Sequence, residues 1–366
     1  MRAQPYTLQF NPKLSLNVAE KHVRDGLSTV LCTGENLWLS CDERTTVERL
    51  RQTGPHEYGK HVSYKLTELL DLPGGAESEI DIEGLAEAHH YLWLVGSHSL
   101  KRKQPNPDHE DVAKQIAKLA KVETDPNRFM LARIPLLRNE KTGDFELYKT
   151  AAHPTKVGEK LQAAQLHGDA DSNDLMDLLA QDPHLKPFVR LPGKDNGLDI
   201  EGLAATADGR LFVGLRGPVL RGWAVVLELL PELDKHGRLR LGKIGGEQKY
   251  YKKHFLDLGG MGLRELRQYG NDLYLLAGPT MDLDGTIAVY CWPNALNQAG
   301  DSLVGPKKIT RLFDVPHGHG PTAGQDRAEG MGLLDEHHMI FVFDSPTAAR
   351  KTVANQVQAD VFRVSK

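Results

Sequence analysis

Acidic and guanidinium side chains recur in this chain where short strands begin and end. The phrase Ile80-Asp81-Ile82-Glu83-Gly84-Leu85-Ala86 returns as Leu198-Asp199-Ile200-Glu201-Gly202-Leu203-Ala204. Weaker echoes are Gly259-Gly260-Met261-Gly262-Leu263 and Glu329-Gly330-Met331-Gly332-Leu333. Three echoes carry a glutamate (Glu83, Glu201, Glu329); the fourth has Gly259 in its place. Glutamates gathered at one point repel unless something neutralises them. Ca²⁺ or Mg²⁺ would do so by taking several oxygen ligands, and arginines would do so through bidentate pairs. A third option is architectural, each glutamate bonding backbone amides of the next repeat.

The densest stretch is Arg216-Gly217-Pro218-Val219-Leu220-Arg221-Gly222-Trp223. Its glycines permit close backbone approach, its two arginines can fork onto a phosphate or carboxylate, and Trp223 can wall a pocket. It reads equally well as a tight turn whose arginines pair with the acids. Ala277-Gly278-Pro279-Thr280-Met281-Asp282 repeats the Gly-Pro turn with an acid in place of the cation. Among the histidines, His98 is a candidate proton carrier, because imidazole titrates near neutrality. His317 and His319 could reach a metal only with ligands from elsewhere. His89-His90 and His337-His338 read as polar turns. No nucleophile elbow, phosphate loop, dinucleotide fingerprint or His-Glu-x-x-His is present.

The elements that must position these groups are short strands. Each echo is followed by a polar turn and an apolar run: Leu92-Trp93-Leu94-Val95, Leu211-Phe212-Val213, Leu273-Tyr274-Leu275-Leu276, Ile340-Phe341-Val342-Phe343. Ser28-Thr29-Val30-Leu31 and Leu37-Trp38-Leu39 form a further pair. Self-similarity at this interval, in strands and glycine turns, is the signature of a propeller. The expectation is an all-β, five-bladed β-propeller occupying 1–366 as a single domain. The last repeat lacks an outer strand, and Tyr6-Thr7-Leu8-Gln9-Phe10 supplies it. Pairing the N- and C-terminal strands closes the ring and removes two open edges.

The second repeat carries helical insertions at 101–127 and 154–182. In the first, Val112, Ile116 and Leu119 recur at helical spacing. The second holds helical patterns at 158–166 and 174–181, the latter capped by Ser172 or Asn173. In an antiparallel meander alternate turns share an end, so the starts of first strands and the ends of second strands share one face. That face gathers Asp81, Glu83, Asp199, Glu201 and Glu329 with Asp42, Glu43, Arg44, His98, Arg216, Arg221, Thr280, Asp282, Asp284, Asp344 and Ser345. The insertion rooted at Lys101, Arg102 and Lys103 projects from it as a lid candidate.

A formal charge of −4 and a pI near 6.5 argue against a broadly basic nucleic-acid binder. Three scattered cysteines are too few for a disulfide framework or a thiolate zinc site. No apolar stretch is long enough to span a bilayer, and the first residues lack a secretory apolar region. A cytoplasmic location is expected.

The runs Leu131-Ala132-Arg133-Ile134-Pro135-Leu136, Asn196 to Leu203 and Leu215 to Ala224 resemble the bacterial domain-of-unknown-function family 3616 over nearly the whole chain. That resemblance implies relationship without an activity. More loosely, the Asp-x-Glu-Gly-Leu phrases are similar to those of phytase-like esterase propellers, which implies hydrolysis of an ester or phosphoester with a divalent cation held by carboxylates. Only Asp81/Glu83 and Asp199/Glu201 match that pattern. The expected function is metal-dependent hydrolysis of a small anionic ester or phosphoester. Glu83, Glu201, Glu329 and Asp344 would hold Ca²⁺ or Mg²⁺, Arg216 and Arg221 would orient the anion, and His98 would carry the proton. The alternative is a non-catalytic propeller that binds a protein partner. The sequence leaves the oligomeric state open.

Overall fold

The structure, a computed structural model, describes residues 3–17, 20–41, 44–76, 78–246, 249–281, 283–318, 324–351 and 353–364. It is all-β and propeller-like. One sheet runs β2 (Leu27–Thr33), β3 (Asn36–Cys41), β4 (Thr46–Gly54) and β5 (Glu57–Lys65). A second runs β6 (Ile82–Ala88), β7 (Tyr91–Gly96), β8 (Leu131–Arg138) and β9 (Phe145–Leu147). The third comprises β10 (Asp199–Ala205), β11 (Leu211–Leu220), β12 (Trp223–Leu229) and β13 (Tyr251–Asp257), with Ser302–Val304 added parallel on its outer edge. The fourth comprises β14 (Gly262–Tyr269), β15 (Asp272–Gly278), β16 (Ile287–Trp292) and β17 (Thr310–Val315). Last come β18 (Ala328–Leu333), β19 (His338–Phe343) and β20 (Gln356–Arg363).

The first strands pack on one another in a closed circle: β2 on β6, β6 on β10, β10 on β14, β14 on β18 and β18 on β2. β1 (Gln4–Gln9) pairs antiparallel with β20, joining the two ends of the chain as expected. It also pairs in parallel with β5 through Thr7 and Leu8, fusing the first and last sheets into one.

The cores show why the strands are apolar on both sides. One cluster, with Trp93, Leu131, Leu203 and Leu227, lies between the second and third sheets. Others lie between the third and fourth, fourth and last, last and first, and first and second. Each sheet is therefore covered on both faces, and runs such as Leu37-Trp38-Leu39 are wholly buried.

The insertions follow the expectation only in part. Helices form at Val112–Ala120 and Asp174–Leu179, the latter capped by Asn173, whose Oδ1 accepts from Met176 N at 2.9 Å. The helix expected over 158–166 is instead two short strands, Lys160–Gln162 on Thr150–Ala152 and Ala164–Gln165 on β8. Available edge partners and the burial of Leu161 and Ala164 in the core outweigh a weak helical pattern. Among the described residues no helix is long and apolar enough to cross a membrane.

Candidate functional site

Every first strand carries a β-bulge near its start, and the bulge sets which side chain faces the middle. In β2, Leu27 pairs Cys41 and Thr29 pairs Ser40, leaving Ser28 unmatched. In β6, Ile82 pairs Gly96 and Gly84 pairs Val95, leaving Glu83; in β18 the same skip leaves Glu329. In β10 the shift between Ile200 and Leu203 contains Glu201. In β14, Leu263 pairs Ala277 and Glu265 pairs Leu276, which leaves Arg264. A bulge twists its strand and re-aims a side chain. Ser28, Glu83, Glu201, Arg264 and Glu329 all line one cavity of about 780 Å³.

This register corrects the alignment of the fourth echo. Gly259 does not occupy the glutamate position; Arg264 does. Round the ring the inward position is thus Ser28, Glu83, Glu201, Arg264 and Glu329, with a guanidinium in place of the gap.

The glycine after each glutamate serves the ring. A Cβ on Gly84 would stand 2.7 Å from Leu203 Cβ, and one on Gly330 would stand 2.7 Å from Thr29 Cα. The neighbouring strands are too close for any side chain there. The remaining two first strands place Thr29 and Glu265 at this position, and they bond each other. Arg267 binds both, and its guanidinium also donates to the carbonyls of Val30, Leu85, Leu203 and Leu266 at 2.6–3.2 Å. These carbonyls hold equivalent places in four first strands. Arg267 and Glu265 are buried and bridge the middle of the ring.

Ion pairing dominates the cavity wall. Arg216 donates to Glu201 at 2.7 Å and to the Met281 carbonyl at 2.7 Å. Arg264 pairs with Glu329. Arg128 contacts Asp81 at 2.8 Å and Ser99 Oγ at 2.8 Å, Arg327 binds Asp284 at 2.8 Å, and Lys101 binds Glu79 at 2.6 Å. The Glu201 carboxylate beside Arg216 raises that guanidinium's pKa further.

Asp199 is different. It lines the cavity, is 7% exposed, and its carboxyl has no hydrogen-bond or ion-pair partner among the described residues. Burial first, and then the neighbouring Glu201, push its carboxyl up to about 7, against the pull of the Arg216 and Arg128 guanidinium groups. Asp344, on the far end of β19, is also raised by burial.

The structure thus brings Glu83, Glu201, Glu329, Asp344 and Arg216 to one cavity, with Asp81, Asp199 and Asp284. It does not bring His98 or Arg221 there. His98 is buried in the loop just past β7, its Nδ1 2.8 Å from the Gly96 carbonyl and its Nε2 2.8 Å from Asn173 Nδ2. Burial lowers its pKa to about 4, so it is a neutral structural imidazole. Arg221 sits exposed at the tip of the β11–β12 hairpin, with a left-handed φ of 49°. Arg44 is spent on the carbonyls of Ser15 and Lys21. Asp42, Glu43, Asp282 and His319 lie outside the described residues.

Glu201 and Glu329 are each held by an arginine, and among the described residues no three His, Cys, Asp or Glu side chains are grouped to hold a metal ion. Sequence reading missed Arg128, Arg264 and Arg327. Arg128 lies one residue past the boundary drawn for the insertion, at the turn into β8. Arg264 was hidden by the register.

The profile of a family described as protein of unknown function (DUF3616) matches residues 26–360. No curated protein matches the chain by sequence. Among solved structures, a GH43 glycoside hydrolase engineered to display both endo-xylanase and exo-arabinofuranosidase activity is 10% identical. Its TM-score is 0.43, and the alignment covers 99% of this chain and 52% of that one, so the chain spans about half its length. The PQQ-bound aldose sugar dehydrogenase of Streptomyces coelicolor is 12% identical, covering 100% and 99%, with a TM-score of 0.35. PhoX of Pseudomonas fluorescens in complex with vanadate, a transition state analogue, is 10% identical, covering 99% and 75%, with a TM-score of 0.33.

Proposed function

This chain belongs to the DUF3616 family, and we propose that it is a single-domain, cytoplasmic, five-bladed propeller that hydrolyses a small polar ester in its central cavity. One observation carries the reading: Asp199 is a buried carboxyl without a bonding partner among the described residues, facing a ligand-sized cavity. A carboxyl that titrates near neutrality can deliver a proton at physiological pH. As water attacks the ester carbon or phosphorus, the bond to the leaving oxygen breaks. The Asp199 proton passes to that oxygen, and a proton of the water passes to another cavity carboxylate. Arg128, Arg216 and Arg264 supply donors for the developing negative charge. Each is already paired with an acid, so the cavity carries no surplus of positive charge. That favours a hydroxyl-bearing ester over a purely anionic one.

The test is turnover of a panel of p-nitrophenyl esters and phosphoesters by the purified chain. Activity is expected to fall as pH rises through about 7, where Asp199 loses its proton. Asp199→Asn should lower kcat by about 100-fold or more, the lower range for removing a general acid. Dialysis against EDTA is expected to leave kcat unchanged, since Glu201 and Glu329 are each held by an arginine. Ligand binding by thermal shift without turnover of any panel member would make the protein a sensor instead.

A further inference from the structure

The arm between β7 and β8 is built in a way that the fold alone does not require. Its root is a two-stranded ladder, Lys101–Arg102 on Val122–Glu123. Ion pairs fasten that root, Lys101 to Glu79 and Asp125, Lys103 to Glu123 and Arg102 to Asp195. Above it the helix Val112–Ala120 is turned the wrong way round for burial. Gln115 is its buried side chain, accepting from Asn106 N at 2.9 Å, while Val112, Ile116 and Leu119 are 61%, 63% and 48% exposed. Residues at i, i+4 and i+7 form one continuous stripe. Covering such a stripe gains roughly 25 cal/mol per Å² of apolar area, and in this structure it faces water.

The stripe runs into the cavity. Leu119 lines it together with Gln104 and Pro105 of the arm, and so do Met281 and Leu283, which follow β15 two sheets further round the ring. Leu283 is itself 59% exposed. Two uncovered leucines thus stand at the mouth of one cavity on different sectors. Because Arg267 and Glu265 bridge the middle of the ring, that mouth is the natural route for a ligand.

We infer that the arm 101–123 is a lid. It pivots on its ion-paired root, and in the closed state the stripe Val112–Ile116–Leu119 covers Leu283 and Met281 and seals the cavity from water. The proposal goes beyond the hydrolytic reading and stands without it, since a sensor would use the same closure. It is tested on the full chain, without any ligand, by oxidative cross-linking. In Ile116→Cys/Leu283→Cys a disulfide is expected to form at least tenfold faster than in Ile116→Cys/Leu303→Cys. Leu303 is equally exposed but lies on an outer edge strand. Equal rates in the two pairs would overturn the lid. Failure to turn over an ester would leave this comparison unaffected, so the two readings fail separately.

Discussion

A histidine and an arginine show how the same residue types divide between chemistry and architecture. His98 is fully enclosed, donating to the Gly96 carbonyl and accepting from Asn173, and its pKa falls from 6.5 to about 4. The unfolded chain takes up a proton below 6.5 that the folded chain refuses until about 4. Stability is therefore lost as pH falls through that window, at up to about 1.4 kcal/mol per pH unit for one proton. His98→Gln keeps both hydrogen bonds available and should remove that slope, as measured by urea unfolding at several pH values. The sequence placed His98 on the cavity end of the second strand correctly in chain position. What it could not show was that Asn173, from an insertion 75 residues away, closes over the ring. Arg264 is the converse. Its role depends on a one-residue bulge, and a strand register that slips by one residue exchanges inward for outward side chains. The glutamates were readable because their phrases repeat; their arginine partners come from unlike contexts and do not.

At the level of elements, strands read well and their decorations poorly. Apolar runs bounded by glycine and polar turns mark β3, β7, β11, β15 and β19, because sheets buried on both faces need continuous apolar strands. The 158–166 segment has no such signature, and its strands exist through the edges that Thr150–Ala152 and β8 offer. The glycine of the repeated phrase has a reason that sequence alone suggests but cannot prove. Gly202 has a φ of 97°, and a Cβ there would stand 2.8 Å from Glu265 Cα on the next first strand. Gly202→Ala combines left-handed backbone strain with overpacking and should cost about 3 kcal/mol or more. Gly209, with a φ of 85° and nothing within 4 Å of an added Cβ, provides the control. Gly209→Ala meets only the backbone term, about 1–2 kcal/mol. Equal losses in denaturant unfolding would show that strand proximity in the ring is not what demands Gly202.

The whole molecule is held at two places, and only one was legible. A last repeat short of a strand, with a spare apolar segment at the other terminus, announces the β1–β20 pairing. The bridge at the middle of the ring announces nothing. Arg267 stands where the other first strands carry Leu31, Ala86, Ala204 and Gly332, and a lone arginine in an alternating strand reads as solvent-facing. Its meaning exists only after closure, when the carbonyls of Val30, Leu85, Leu203 and Leu266 converge on one guanidinium. Burial pushes the Glu265 carboxyl up to about 7, while Arg267 and Thr29 pull the other way. Arg267→Met removes the donor that four strands share and strands Glu265 as a buried acid. Breaking one side of a buried pair costs about 3–5 kcal/mol. Arg267→Met/Glu265→Gln leaves no unpaired charge, and should recover part of that loss but not the cross-ring bonds. Unfolding in urea would measure both, and hydrogen exchange would locate the damage. If the bridge ties the ring, the amides of β2, β6, β10 and β14 lose protection together in Arg267→Met, while the outer strands β5, β13 and β17 keep theirs. Loss confined to β14 would mean that Arg267 serves only its own strand, and that the ring is held by its apolar seams alone.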